Sequence, residues 1–233
     1  MSEVREVLTS PLALVLVTLL TYQAGVWLRR RTNGHALAQP VVVSIAGTVA
    51  ALLLLDVDYS AYADDARLIS FWLGPATVAL ALPLHRQTSR LRGVVVPMLV
   101  AIPVGALVSI LTAYGLVLLC GGGELLALTM SPKAATTPIS IALSEQAGGV
   151  PALTAIVTIV AGILGAVLGP AVLTLVRVRD VRARGLAMGA SAHGIGTSRA
   201  LNESETEGAF SGLSMGLTAL ATSVLLPVAL WLL

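Results

Sequence analysis

The chain has 233 residues, 56% of them hydrophobic and 11% charged, with a formal charge of +2. A soluble domain carries about 25% charged residues to coat its surface, so a soluble globular enzyme is excluded. The basic residues lie scattered over short loops and leave no nucleic-acid footprint. The single cysteine, Cys120, allows neither an intramolecular disulfide nor a clustered cysteine metal site.

Three runs contain no Asp, Glu, Lys or Arg: Gly93 to Gly123, Gln146 to Val176 and Gly208 to Leu233. Each exceeds the ~20 residues that a bilayer-spanning helix needs. In chain order, the first apolar stretch is Leu8 to Leu28. It is long enough for the core of a secretion signal, and Ala36-Leu37-Ala38 has the form of a cleavage site. Arg29, Arg30 and Arg31 stand between them and the first residues are not basic, so the stretch reads as a retained first span.

Charge orders the remaining spans. Ten of the 14 Lys and Arg sit at Arg29 to Arg31, at Arg86, Arg90 and Arg92, and at Arg177, Arg179, Arg182 and Arg184. Basic loops stay cytoplasmic. Asp56, Asp58, Asp64, Asp65, Glu203, Glu205 and Glu207 fall in loops poor in Lys and Arg, which suits the outer side. The path is then residues 8–28 inward, 38–55 outward, Arg67 to Leu84 inward and Gly93 to Leu119 outward. Val150 to Val176 runs inward, Gly185 to Leu201 outward and Gly208 to Leu233 inward. The N-terminus is expected outside and the C-terminus in the cytoplasm of a bacterial inner membrane.

Residues 120–149 must begin and end outside, yet they are too short for two spans. Gly121 to Gly123, Pro132 and Gly148-Gly149 interrupt them, while Ala134 to Leu143 is too apolar for a solvated loop. Two half-helices meeting inside the membrane fit best, since irregular backbone at that depth must be shielded by protein or line a cavity. Gly74 to Leu84 (GPATVALALPL) resembles Thr136 to Ser144 (TTPISIALS), and each precedes a long charge-free span. The two pairs run in opposite directions, so residues 67–119 and 120–176 are candidate inverted repeats within a single domain, 1–233. The fold class expected is an all-α integral membrane bundle with inverted repeats and broken helices, a pattern that points to secondary transporters.

A polar residue within a span is costly and therefore a functional candidate. Pro75 and Thr77 mark a break in the third span, where freed carbonyls and a hydroxyl can meet a solute; a Thr bonded to its own helix is the plainer reading. Lys133, the only lysine, precedes a second break at Thr136, Thr137, Pro138 and Ser140. Half-helix N-termini and an ammonium suit an anion, whereas a snorkelling lysine reaches for the interface. Ser191, His193, Gly194, Gly196, Thr197 and Arg199 crowd the span at GASAHGIGTSRAL. His193 and Arg199 could share a carboxylate ligand, and His193 could carry a coupled proton. A Ser-His hydrolase is disfavoured, because no carboxylate orients the histidine and no nucleophile elbow is present.

With those residues in view, the chain resembles the LrgB family, also called CidB-like, over nearly its whole length. The resemblance rests on FWLGPATVALALPLHRQ (Phe71 to Gln87), SPKAATTPISIALSEQAGGVPALTA (Ser131 to Ala155) and ARGLAMGASAHGIGTSRALNESETEGAFSGLSMG (Ala183 to Gly216). Departures are slight: the second half of the first cytoplasmic loop is richer in Arg than in Lys. The resemblance implies one of two roles. One is an antiholin-like protein that modulates murein hydrolase export and autolysis with a small LrgA-like membrane partner. The other is a transporter, or transport subunit, for small carboxylates such as glycolate, glycerate or pyruvate, as in plastid relatives that fuse LrgA-like and LrgB-like halves. The transporter is the leading expectation here. A homo-oligomer, first of all a dimer, is the expected assembly. No cofactor and no enzymatic activity are expected.

Overall fold

The computed structural model describes residues 7–32, 40–72, 75 and 93–232. These are overwhelmingly helical, with no strand among the described residues. Two compact units are present, Met1–Ala79 and Leu80–Leu233.

The first unit contains α1 (Pro11–Arg31), α2 (Pro40–Leu55), α3 (Tyr59–Asp65) and α4 (Arg67–Phe71). Pro11 opens α1 where its missing N–H costs nothing, and Arg29 to Arg31 close it with positive charge at the negative end of the helix dipole. Small and hydroxylated residues form the seam between α1 and α2. Gly25 lies against Pro40 and Gly47 against Thr21, while the Thr21 hydroxyl approaches those of Ser44 (3.4 Å) and Thr48 (3.2 Å). Such seams replace the hydrophobic effect as the cause of helix association in lipid. The third expected span begins as α4, but most of its continuation to Leu84, and with it Thr77, lies outside the described residues. So does nearly all of the first member of the expected repeat's break, from Gly74.

The second unit contains α5 (Val95–Leu119), α6 (Glu124–Met130), α7 (Thr137–Gln146), α8 (Pro151–Leu175), α9 (Val181–Glu203) and α10 (Glu205–Leu232). Among the described residues, α1, α5, α8 and α10 are long and apolar enough to cross a membrane. Their patterning is the reverse of a soluble helix. On α8 the buried stripe is Thr154, Thr158, Gly162 and Ala166, every fourth residue, and the exposed stripe is Ile156, Val160, Leu164, Leu168 and Val172. Residues four apart share one helix face. The small and polar face therefore meets protein, and the large apolar face is left for lipid.

The segment 120–149 forms a helical hairpin, as its composition suggested. The arms α6 and α7 run antiparallel, because Ser140 Oγ donates to Pro132 O (2.7 Å), while Thr154 Oγ1 donates to Thr129 O (2.9 Å) and pairs with Ser144 Oγ (2.6 Å). Its tip is Ser131 to Thr136. Lys133 Nζ donates to Ser109 O at 3.4 Å, and Ser109 lies ten residues before the end of α5, about 15 Å along the helix. The tip thus stops near the middle of the bundle.

The structure corrects the reading of Gly185 to Leu201 as a crossing. Helix α9 reverses at His193, whose backbone leaves the helical region at φ 40°, ψ −130°. Gly196 stands eight residues beyond Met188, about 12 Å on a straight helix. Yet a Cβ on Gly196 would lie 2.5 Å from Met188 O. The chain is therefore a second hairpin, with arms 181–192 and 194–203. The start of α10 returns beside the start of α9: Gly185 packs on the Glu207 carbonyl and Gly189 on the Ser211 carbonyl. Only a residue without Cβ permits that approach. The sequence reading missed this because the charge rule set Arg177 to Arg184 and Glu203 to Glu207 on opposite sides, while the glycines and His193 that allow the reversal suit a packed crossing helix equally well.

Two further expectations change with it. Glu203 to Glu207 do not form a loop remote from the basic clusters; Glu207 is buried at the Arg184 end. And α10 leaves from that same end, so its last turns reach the opposite one. There Leu226 and Ala229 join Ile110 and Leu143 in an apolar cluster, with Ile139 against it.

Candidate functional site

Among its described residues, the second unit has three long apolar helices, α5, α8 and α10, and two hairpins that enter from opposite ends. At the tip of the first hairpin, Pro138 falls in the first turn of α7, where its ring fits the helical φ. Thr136 is the N-cap but makes no side-chain capping bond, and Thr137 is half-buried. The first N–H groups of α7 therefore remain a positive helix end. Ser140 is fully buried, with its hydroxyl committed to Pro132 O and Ala135 O. The Lys133 ammonium reaches inward to Ser109 O and Oγ (3.4 and 3.3 Å), not outward to an interface. Both partners are neutral, so no protein carboxylate offsets its charge among these bonds.

At the tip of the second hairpin, His193 is buried and its Nε2 lies 3.0 Å from Thr158 O. A carbonyl only accepts, so Nε2 carries the proton in this contact. Gly162 gives the ring its place, because a Cβ there would meet Cε1. Thr197 Oγ1 donates to His193 O (2.8 Å) and pairs with Ser211 Oγ (3.0 Å), tying the second arm to the reversal and to α10. Gly196 is buried against the first arm, whereas Gly194 is exposed. Ser191 is exposed and its hydroxyl turns back to Ala187 O (2.7 Å).

The base of this hairpin is a separate place. Arg199 pairs with Glu203 at 2.6 Å. Together with Arg184, Pro170, Ala171, Thr174 and Leu175 they line a cavity of about 540 Å³. Arg184 donates to Val178 O, Thr174 Oγ1 and Pro170 O. Six residues, about 9 Å of helix, separate Arg199 from His193, on the side away from the tip. The Arg199 guanidinium turns to Glu203, one turn farther still from the tip. Beyond the base, Asp180 caps α9 and grips Arg182 (2.6 Å); the hydrogen bonds from Arg182 hold its carboxyl down at about 2.

The structure thus brings Lys133, Thr136, Thr137, Pro138 and Ser140 to one tip and His193, Gly194, Gly196 and Thr197 to another. It sets Arg199 apart and leaves Ser191 facing outward. Pro75 is exposed and belongs to the other unit. Sequence reasoning missed Thr129, Ser144, Thr154 and Thr158, and on α10 Ser211, Ser214, Thr218 and Thr222, all buried. For Thr154 and Thr158, and for Ser214, Thr218 and Thr222, the signal was the four-residue spacing of hydroxyls within the charge-free runs.

The LrgB-like family model matches residues 18–232. The chain belongs to the LrgB family. It is 30% identical to the antiholin-like protein LrgB of Bacillus mycoides (strain KBAB4), over 92% of this chain and 93% of that protein. Two relatives from Bacillus subtilis (strain 168) are also similar. YxaC is 35% identical over 94% of this chain and 95% of its own length, and YwbG 37% over 78% and 81%; both are described as uncharacterized. No solved structure matches. Family membership and the four long apolar helices make this LrgB-family chain a membrane protein.

Proposed function

We propose that this LrgB-family protein acts in the antiholin-like capacity for which its relatives are named. It would modulate murein hydrolase export and autolysis together with a small LrgA-like membrane partner, from the bacterial inner membrane. The observation that supports this most directly is the likeness to antiholin-like LrgB proteins along almost the entire chain. Removing the protein from its host should change the rate of detergent-triggered autolysis, and re-expression should restore it. An unchanged lysis rate with an intact LrgA-like partner defeats this reading.

A second reading is favoured by the geometry: transport of a small carboxylate such as glycolate, glycerate or pyruvate. Each hairpin is followed by a crossing helix, 124–146 by α8 and 181–203 by α10, and the two pairs enter from opposite ends. We infer from this an inverted-repeat arrangement of 124–175 and 181–232, a different pairing from the 67–119 and 120–176 expected from the sequence, with its breaks near mid-depth, where transporters of this architecture bind their solutes. Lys133 and the first turn of α7 supply positive charge at one tip, and the second arm of α9 starts at the other. If the Arg177 cluster is cytoplasmic, the Thr136 break opens outward, the His193 break inward, and the C-terminus lies outside.

Lys133→Met separates the two readings. It keeps the length of the side chain and drops the charge. Proteoliposome uptake of a labelled carboxylate should fall at least about tenfold, as expected for losing a charged hydrogen bond. A pure regulator keeps its autolysis phenotype with Lys133→Met at equal expression.

A further inference from the structure

Two hydroxyls in the core of the second unit have no hydrogen-bond partner, those of Thr158 and Thr218. Both residues are essentially inaccessible. Most buried threonines here solve the problem locally. Thr222 donates to Thr218 O, one turn back (2.7 Å), and Thr197 to His193 O. A buried polar atom left without a partner costs about 1–3 kcal/mol and points to an absent partner or a functional role.

The placement of the pair is specific. Along the buried stripe of α8, Thr154 is bonded to the first hairpin through Thr129 and Ser144, and Gly162 lies under His193 of the second. Thr158 is the one stripe residue between them. On α10, Met215 is the nearest neighbour of Gly194 at the second tip, while Leu226 joins Leu143 and Ile139 of the first hairpin. Thr218 lies between those two contacts. On both crossing helices, therefore, the unpaired hydroxyl falls at the level where one hairpin hands over to the other.

We propose that Thr158 and Thr218 are ligand-binding residues, whose hydroxyls donate to the oxygens of a small carboxylate held between the two hairpin tips. This rests on the transport reading above and assigns it two residues. The surroundings favour an anion over a metal cation. No Asp or Glu occurs from Gln146 to Val176 or from Gly208 to Leu233, so no carboxylate is at hand to hold a cation. The second arm of α9 begins at the reversal, and its first N–H groups have lost the carbonyls of a preceding turn. Such a helix start attracts negative charge.

The test uses the purified full-length protein, with glycolate as the probe, and reads thermal unfolding and binding by calorimetry. Valine matches threonine in shape and removes only the hydroxyl. Thr158→Val and Thr218→Val should each raise the unfolding temperature without ligand, because an unpaired buried group is gone. Each should weaken glycolate binding at least about tenfold. Thr158→Ser, which keeps the hydroxyl, should bind within a few-fold of the parent chain. Thr158→Ala and Thr218→Ala should show the same binding loss in case valine is not accommodated. Unchanged affinity in the valine or alanine variants, with a lower unfolding temperature, overturns the assignment and leaves the transport reading standing. A parent chain with no affinity for glycolate, glycerate or pyruvate overturns both.

Discussion

At His193 the backbone adopts φ 40°, ψ −130°, a conformation that costs a non-glycine residue about 1–3 kcal/mol. It persists because three neighbours fix it: the carbonyl of Thr158, the hydroxyl of Thr197 and the bare Cα of Gly162. Gly162→Ala drives a methyl group into the imidazole and should lower stability by about 1–3 kcal/mol, measured by thermal unfolding in detergent. Gly216→Ala is the control. Nothing lies within 4 Å of a Cβ there, and the change should stabilise by roughly 0.5–1 kcal/mol. Outside the spans, Asp180 gives a pH signature. Its folded carboxyl titrates at about 2, below the ordinary 3.8. The capping contribution is therefore fully present above 3.8 and is lost as pH falls towards 2. Asp180→Asn should flatten the unfolding temperature between pH 5 and 2 relative to the parent chain; identical profiles would contradict the role.

The hairpins differ in what holds them. The first is tied by hydroxyls, with Thr154 bonded to both arms. Thr154→Val leaves Thr129 O and Ser144 Oγ short of a partner and should cost about 1–3 kcal/mol, the opposite sign to Thr158→Val one turn away. The second hairpin is tied by close backbone approach at Gly185, Gly189 and Gly196. That contrast explains how much of the fold was legible in the sequence. Helix positions followed from the charge-free runs, and the first hairpin from Gly121 to Gly123, Pro132 and an apolar stretch too short to cross twice. The second was not legible as a hairpin. Glycines every few residues suit a packed crossing helix as well as a reversing one, and only the position of the partner backbone separates the two. For the site, the sequence singled out the tips at Lys133, Thr136 to Ser140 and His193 through their polarity. Arg199 stands apart from the tips because its guanidinium is taken by Glu203, one turn farther from the reversal, a pairing that the sequence spacing alone did not single out. The unpaired hydroxyls of Thr158 and Thr218 left no mark in the sequence, since a threonine in a helix is most often bonded to its own backbone.

At the scale of the molecule, the reversal at His193 decides the path of the second unit through the membrane. With a crossing at residues 185–201, Glu205 and Arg179 would lie on opposite sides of the bilayer. With a hairpin they lie on the same side, and the end of α10 emerges on the other. The transport reading and its site depend on this, because two hairpins entering from opposite ends give a midpoint between breaks, whereas one hairpin and a straight span do not. The decisive measurement is cysteine accessibility in intact cells and inverted vesicles, in a Cys120→Ser background that removes the chain's one native thiol. A membrane-impermeant maleimide should label Arg179→Cys and Glu205→Cys from the same side, both positions being exposed. Labelling of the two from opposite sides would contradict the hairpin and the site built on it.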